Sequence, residues 1–243
     1  MADKNLFDKL ATTPFDVEEG LSSITREQFS PDIGSLFGYA VENHVRNIIK
    51  GHPGIVYYDE QHPVFIKRED DTFFSERKTI HIGSKRIEMA FCLKYDQERK
   101  ILFACHGFPD RPSSEFAQRE IDLLFDFHGI TIFGQVAYIN PESSHRGKID
   151  RSPLSFKKFM RQRANIQRAL GKRVEYLAVV NRDFIPEIPE RTRFKFEKEM
   201  KNTRIVQVRV TSADAVGFYK RALQDNPNLT LPKKHPLYKA VFS

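Results

Sequence analysis

Residues 120–138, EIDLLFDFHGITIFGQVAY, most constrain what this chain can fold into. Two apolar stretches flank a glycine turn, a pattern typical of two antiparallel strands. Asp122 lies inside the first predicted strand, and Gln135 lies inside the second. Ala137 is two residues beyond Gln135, so we expect both side chains on the same face of that strand. The hairpin therefore places a carboxylate and an amide on paired strands, with an alanine beside the amide.

The predicted elements around this hairpin are a mixture of helices and strands. Apolar residues recur every three or four positions over residues 35–51, which predicts a helix. Over residues 1–30 we expect a short helix and a loop, and over residues 109–115 a loop. Further strands are predicted in GIVYYDE, in HPVFIKR, two or three times within residues 78–108, in RVEYLAVVN and in RIVQVRV. Further helices are predicted over residues 155–171, near residues 194–201, and after Thr211, which forms a capping box with Asp214.

Composition and length indicate one α/β domain over residues 1–243. Hydrophobic residues make up 40% of the chain and charged residues 29%, which is typical of a globular protein. No apolar run approaches the roughly 18 residues of a membrane helix, and the N-terminus has no secretory apolar region. Two cysteines without a CxxC spacing fit a reducing compartment. We therefore expect an intracellular, cytoplasmic protein that does not interact with membranes.

Positive charge is concentrated in residues 141–173. This segment has ten Lys and Arg and two acidic residues, a balance of +8, whereas the whole chain carries +7. A basic segment in a nearly neutral chain is typical of a protein that binds a polyanion. The residues expected to contact phosphates are Arg146, Lys148, Arg151, Lys157, Lys158, Arg161 and Arg168. A solvated helix face is the alternative explanation of the same charges.

The joint pattern resembles the PD-(D/E)xK superfamily, the restriction-endonuclease-like nucleases. Asp122 occupies the position of the family's Asp, Gln135 that of its Glu and Ala137 that of its Lys, while Glu42 matches the acidic residue of the preceding helix. The resemblance covers residues 35–58 and 115–180. It implies an αβββαβ core with a central mixed sheet flanked by helices, with inserted strands at about 60–110 and a β-α extension at about 204–224.

The resemblance also implies a metal-dependent endonuclease that hydrolyses phosphodiester bonds in DNA. Mg²⁺ or Mn²⁺ would be held by Asp122, Gln135, Glu42 and the backbone carbonyl of Val136. Hard cations of this kind prefer oxygen ligands. The family's lysine stabilises developing negative charge, and loss of such a group typically costs about 10²–10³ in rate.

Alanine at position 137 leaves three explanations open. A lysine of an active enzyme has been replaced by alanine, or the natural protein binds nucleic acid without cutting it. The third is that Lys148 or Arg146 supplies the cation from the following loop. Gln135 departs less from the family pattern than Ala137 does, because some members of the superfamily have Gln-x-Lys at these positions.

Three functions therefore remain in competition. The first is a nuclease that prefers DNA to RNA, and the second is a non-catalytic nucleic-acid-binding subunit with the same fold. The third is a scaffold domain whose basic helix is only solvated. A homodimer or a larger DNA-processing complex is compatible with the first two, because cutting two strands favours two sites.

Overall fold

A computed structural model describes residues 3–25, 32–66, 73–138, 156–181 and 203–243 of the chain. These residues form an α/β structure with one mixed sheet, one antiparallel sheet and helices, which confirms the predicted class. The chain divides into two compact units. The first unit combines residues 1–53, 136–155 and 178–243, and the second unit combines residues 54–135 and 156–177.

The described helices are α1 (Asp3–Thr12), α2 (Val17–Ser22), α3 (Ile33–Lys50), α4 (Pro63–Ile66), α5 (Phe156–Leu170), α6 (Ser212–Asp225) and α7 (Tyr238–Phe242). The described strands are β1 (Ile55–Tyr57), β2 (Phe73–Ile82), β3 (Lys85–Asp96), β4 (Ile101–Gly107), β5 (Ala117–Ile121), β6 (Leu123–Phe127), β7 (Ile130–Ala137), β8 (Val174–Asn181) and β9 (Thr203–Val208). Among the described residues, no helix is both long enough and apolar enough to cross a membrane.

The second unit contains the predicted hairpin as far as Gln135. Strand β6 pairs antiparallel with both β1 and β7, and β8 follows β7 in the sheet order β1-β6-β7-β8-β9. Strands β2, β3, β4 and β5 form a separate antiparallel sheet in chain order. Strands β2, β3 and β4 lie within residues 60–110, where strands were predicted, whereas β5 lies outside that range, and helix α5 packs against this sheet.

The first unit is built around aromatic side chains of α3 and α6. The rings of Phe37 and Phe218 are 5.2 Å apart, and Phe15 meets Phe37 edge-on at 5.5 Å. Helix α6 begins with the predicted capping box, in which Thr211 and Asp214 satisfy each other's backbone N–H groups. These contacts bury one face of each helix, as the helical spacing of apolar residues predicts.

Two predictions of local structure were wrong. HPVFIKR does not form a strand, because residues 63–66 form the short helix α4. Pro63 has no N–H for a strand ladder, and the N–H of Val64 donates to Nδ1 of His62 at 3.2 Å, as at a helix start. The N-terminal region contains two helices, α1 and α2, rather than one. The helix predicted near 194–201 lies outside the described residues.

Candidate functional site

The hairpin brings Asp122 and Gln135 to opposite positions in the second unit. His128 and Gly129 form its two-residue turn, and both have positive φ, 48° and 78°, as a type I′ turn requires. The register of β6 and β7 ends with Leu123 opposite Gly134, so its continuation by one residue places Asp122 across from Gln135. Side chains at directly opposite positions have Cβ atoms about 4.5–5.5 Å apart.

Asp122 itself does not lie within a strand, and the sequence prediction was wrong on this point. It forms a bend between β5, which belongs to the antiparallel sheet, and β6, which belongs to the mixed sheet. The hydroxyl of Tyr57 donates to the backbone carbonyl of Asp122 at 3.1 Å and so fixes the bend. The residue therefore occupies the point where the chain changes sheets, and its side chain is half-buried.

Gln135 has a buried amide nitrogen, Nε2, that finds no hydrogen-bond partner among the described residues. Buried polar atoms are nearly always satisfied, so each exception calls for a bound water, an ion or a functional role. The oxygen and nitrogen of an amide are assigned from the hydrogen-bond network, and rotating the amide would point its oxygen into the same place. The space beside the Gln135 amide therefore suits a hydrogen-bond acceptor or, after rotation of the amide, a cation.

The charge of Asp122 is felt by a deeply buried neighbour, Tyr176 of β8. Burial raises the pKa of Tyr176 well above its usual value, and the negative charge of Asp122 raises it further. Tyr176 packs between Phe133 at 5.3 Å and Phe159 at 5.7 Å. The carboxylate of Asp122 therefore lies at the border of an apolar core, where electrostatic interactions are stronger than in water.

The other predicted metal-binding and catalytic residues, Glu42, Val136 and Ala137, lie in the first unit. Val136 and Ala137 end strand β7, and both are half-buried. Glu42 lies on α3, where its carboxylate forms a partly buried ion pair with Arg46, one helical turn later. A metal ion at Glu42 would have to compete with this guanidinium. The role of Glu42 in metal binding stays a prediction.

The sequence analysis missed a second carboxylate in the hairpin, Asp126 of β6. Nζ of Lys172 donates to both carboxylate oxygens of Asp126 at 3.0 Å. The hydroxyl of Tyr58 donates to one of the oxygens at 3.3 Å, and the buried hydroxyl of Thr131 donates to the other. His62 stacks on Tyr58, with ring centres 3.7 Å apart.

This Asp126 cluster changes the titration of its members. Burial raises the pKa of Tyr58, and the nearby negative charge of Asp126 adds to the effect. Burial lowers the pKa of Lys172, but hydrogen bonds and charge interactions with Tyr58 and Asp126 outweigh it, so the net shift is upward. The cluster thus holds the ammonium group of Lys172 on the Asp126 carboxylate, which is a structural arrangement.

Three of the predicted phosphate-binding residues have described side chains, namely Lys158, Arg161 and Arg168 on α5. All three are exposed. Nζ of Lys158 lies 4.9 Å from the ring centre of Phe159, and Arg168 donates to Oδ1 of Asn165 at 3.3 Å. The side chain of Lys157 and the loop residues Arg146, Lys148 and Arg151 lie outside the described residues.

No group of three or more His, Cys, Asp or Glu side chains in the described part of the chain is arranged to hold a metal ion. Comparisons with family models, with curated proteins and with solved structures returned no match.

Proposed function

We propose that this chain is a metal-dependent, endonuclease-like protein that acts on phosphodiester bonds in DNA, with Asp122 and Gln135 at its centre. The observation that carries the proposal is the register of β6 and β7, which sets the carboxylate opposite an amide whose buried nitrogen lacks a partner in the described residues. A buried polar side chain that lies beside a carboxylate and lacks a hydrogen-bond partner is typical of a ligand site.

The order of elements supports a PD-(D/E)xK core. Helix α3, strands β1, β6 and β7, helix α5 and strand β8 follow one another as αβββαβ, with β2–β5 inserted after the first strand. In this order Asp122 immediately precedes the second core strand, and Gln135 lies near the end of the third. These are the positions that the resemblance assigns to the metal ligands.

The residues present fit a weakly held Mg²⁺ or Mn²⁺. Asp122 offers a carboxylate oxygen, and Gln135 offers an amide oxygen once its unpartnered amide rotates. Mg²⁺ usually keeps several waters and takes only one or two protein carboxylates, with the substrate phosphate completing its shell. When bound, such an ion polarises the phosphate and lowers the pKa of a coordinated water. Asp122 would also orient that water, and the apolar wall around Tyr176 would limit access of bulk water.

Ala137 favours a second candidate function, a nucleic-acid-binding subunit that does not cut. Alanine carries no charge and no donor, so position 137 cannot stabilise the developing negative charge. Lys172 of the second unit is bound to Asp126 near the hairpin turn, and Asp126 lies four residues after Asp122 along the chain. We therefore expect slow hydrolysis or none in the chain as it stands, whereas binding would persist.

Restoring the lysine tests the proposal. Ala137→Lys and the native chain would be incubated with labelled duplex, branched and single-stranded DNA and with RNA, in Mg²⁺ or Mn²⁺. We expect cleavage by Ala137→Lys to exceed that by the native chain by about 10²–10³. The matched control is the double variant Ala137→Lys with Asp122→Asn, which keeps the new lysine but removes the carboxylate.

Each outcome has a distinct meaning. Cleavage by Ala137→Lys that disappears with Asp122→Asn supports a nuclease weakened at position 137. Cleavage that survives Asp122→Asn contradicts the assigned centre. If neither chain cuts any substrate but both bind with steep salt dependence, the non-catalytic subunit replaces the nuclease.

A further inference from the structure

We propose that Arg119, His106 and Arg168 form a phosphate-binding site on the antiparallel sheet of the second unit, and that Lys158 and Arg161 extend it into a track for a nucleic-acid backbone. The site deepens the binding half of the proposed function and does not require hydrolysis. Neither Arg119 nor His106 belongs to the basic segment that the sequence analysis identified.

Helix α5 lies across the strands of this sheet, and every third residue from Gln162 to Arg168 contacts the next strand. Nε2 of Gln162 donates to the backbone carbonyl of Glu120 in β5 at 2.7 Å. Nδ2 of Asn165 lies 3.4 Å from Nδ1 of His106 in β4. These two contacts fix the helix above β5 and β4.

The next step along α5 brings Arg168 to β3. Its guanidinium carbon lies 5.0 Å from the ring centre of Phe91. Phe91 is the register partner of His106, and the two rings are nearly parallel with centres 6.4 Å apart. A guanidinium held on an aromatic face loses less conformational freedom on binding an anion than a solvated side chain does.

Arg119 approaches His106 from the opposite side. His106 pairs with Ala117, and Arg119 is two residues further along β5, so it is a diagonal neighbour of His106 on the same face. Burial lowers the pKa of His106, and the positive charges of Arg119 and Arg168 lower it further. The two guanidinium groups therefore act on one imidazole from two different elements.

The cations of this site lack carboxylate partners. Within the described residues, Arg119, Arg161, Arg168 and Lys158 form no ion pair, and Arg119 and Arg161 form no hydrogen bond through their side chains. Arg221 and Arg111 differ from these cations, since Arg221 pairs with Glu18 and Asp225 and Arg111 pairs with Glu115. Unpaired cations held close together favour an external anion.

The length of the track favours a polymer of phosphates. From Lys158 to Arg168 the helix rises about 15 Å, at roughly 1.5 Å per residue. One DNA strand carries a phosphate about every 3.4 Å of duplex axis, so several phosphates fall within this distance. A single phosphate group would engage only Arg119, His106 and Arg168.

Arg119→Gln tests the site most cleanly, because Arg119 is exposed and makes no side-chain hydrogen bond or ion pair within the described residues. Binding of labelled duplex and single-stranded DNA by the full native chain would be measured over a range of salt concentrations. We expect Arg119→Gln to bind duplex DNA about eightfold more weakly at 0.1 M salt, with a salt slope smaller by about 0.9. Adding Arg168→Gln should bring the loss to roughly 60-fold.

Arg221→Gln is the matched control, because it removes the same charge from a guanidinium that is already paired. We expect its DNA affinity to change by less than about twofold and its salt slope to stay the same. Circular dichroism of each variant checks folding, which matters for Arg168→Gln because Arg168 packs on Phe91.

Equal affinities of Arg119→Gln and the native chain would overturn the site, and so would an equal loss in Arg221→Gln. Polyphosphate is the second probe: competition with DNA that weakens in Arg119→Gln supports recognition of phosphate rather than of bases. If Arg119→Gln weakens binding while Ala137→Lys cuts nothing, the site stands and the nuclease proposal fails. If Ala137→Lys cuts and Arg119→Gln binds normally, the nuclease proposal stands and the phosphate-binding site fails.

Discussion

The two acidic residues of the hairpin, Asp122 and Asp126, differ in what surrounds them. Asp126, near the turn, accepts hydrogen bonds from Lys172, Tyr58 and Thr131. Asp122, at the other end of β6, lies opposite an amide whose buried nitrogen lacks a partner in the described residues. A carboxylate satisfied by three donors stabilises the fold, whereas one beside an unsatisfied polar atom is the better candidate for a ligand site.

The position of an acidic residue in the hairpin does not by itself show whether its carboxylate stabilises the fold or binds a ligand. Both residues are half-buried and four positions apart on one chain segment. Two of the donors to Asp126, Lys172 and Tyr58, come from other parts of the second unit.

The largest effect on stability is expected at Asp126. Asp126→Asn removes the charged partner of Lys172 and one acceptor for the Tyr58 and Thr131 hydroxyls, so we expect the free energy of unfolding to fall by about 2 kcal/mol. Asp122→Asn, the matched change at the other end, keeps the backbone carbonyl that the Tyr57 hydroxyl binds, so we expect a smaller loss. Urea unfolding followed by circular dichroism measures both. Equal losses would remove the distinction between the two ends.

A smaller effect of opposite sign is expected at Gln135. Gln135→Met keeps the length of the side chain but removes the buried amide, so the cost of leaving its nitrogen unsatisfied disappears. We expect stability in metal-free buffer to stay the same or to rise by up to about 1 kcal/mol. A loss of more than about 1 kcal/mol would show that the amide is satisfied in the folded protein.

Local patterns predicted much of this fold. The hairpin, the helix over residues 155–171 and the buried strand RVEYLAVVN were found, because apolar periodicity and a glycine turn are properties of neighbouring residues. The capping box of Thr211 and Asp214 was confirmed for the same reason. The short segment HPVFIKR was misread, since apolar content alone does not separate a strand from one helical turn.

Contacts between residues that are far apart along the chain could not be predicted from local sequence patterns. The partners of Asp126 are 46 residues away at Lys172 and 68 residues away at Tyr58. Arg119 lies beside His106 because β4 pairs with β5, and Arg168 reaches Phe91, the register partner of His106, because α5 lies across the sheet. The facing of Asp122 and Gln135 followed from the hairpin, but the unpartnered amide nitrogen and the bend at Asp122 required the folded structure.

Calorimetric titration of Mn²⁺ into the metal-free protein tests the central claim most directly. It would compare the native chain with Asp122→Asn and Asp126→Asn. Our account predicts one weak site in the native chain, which Asp122→Asn abolishes and Asp126→Asn leaves intact. Binding that survives Asp122→Asn and disappears in Asp126→Asn would contradict the account and move the metal to the Asp126 cluster.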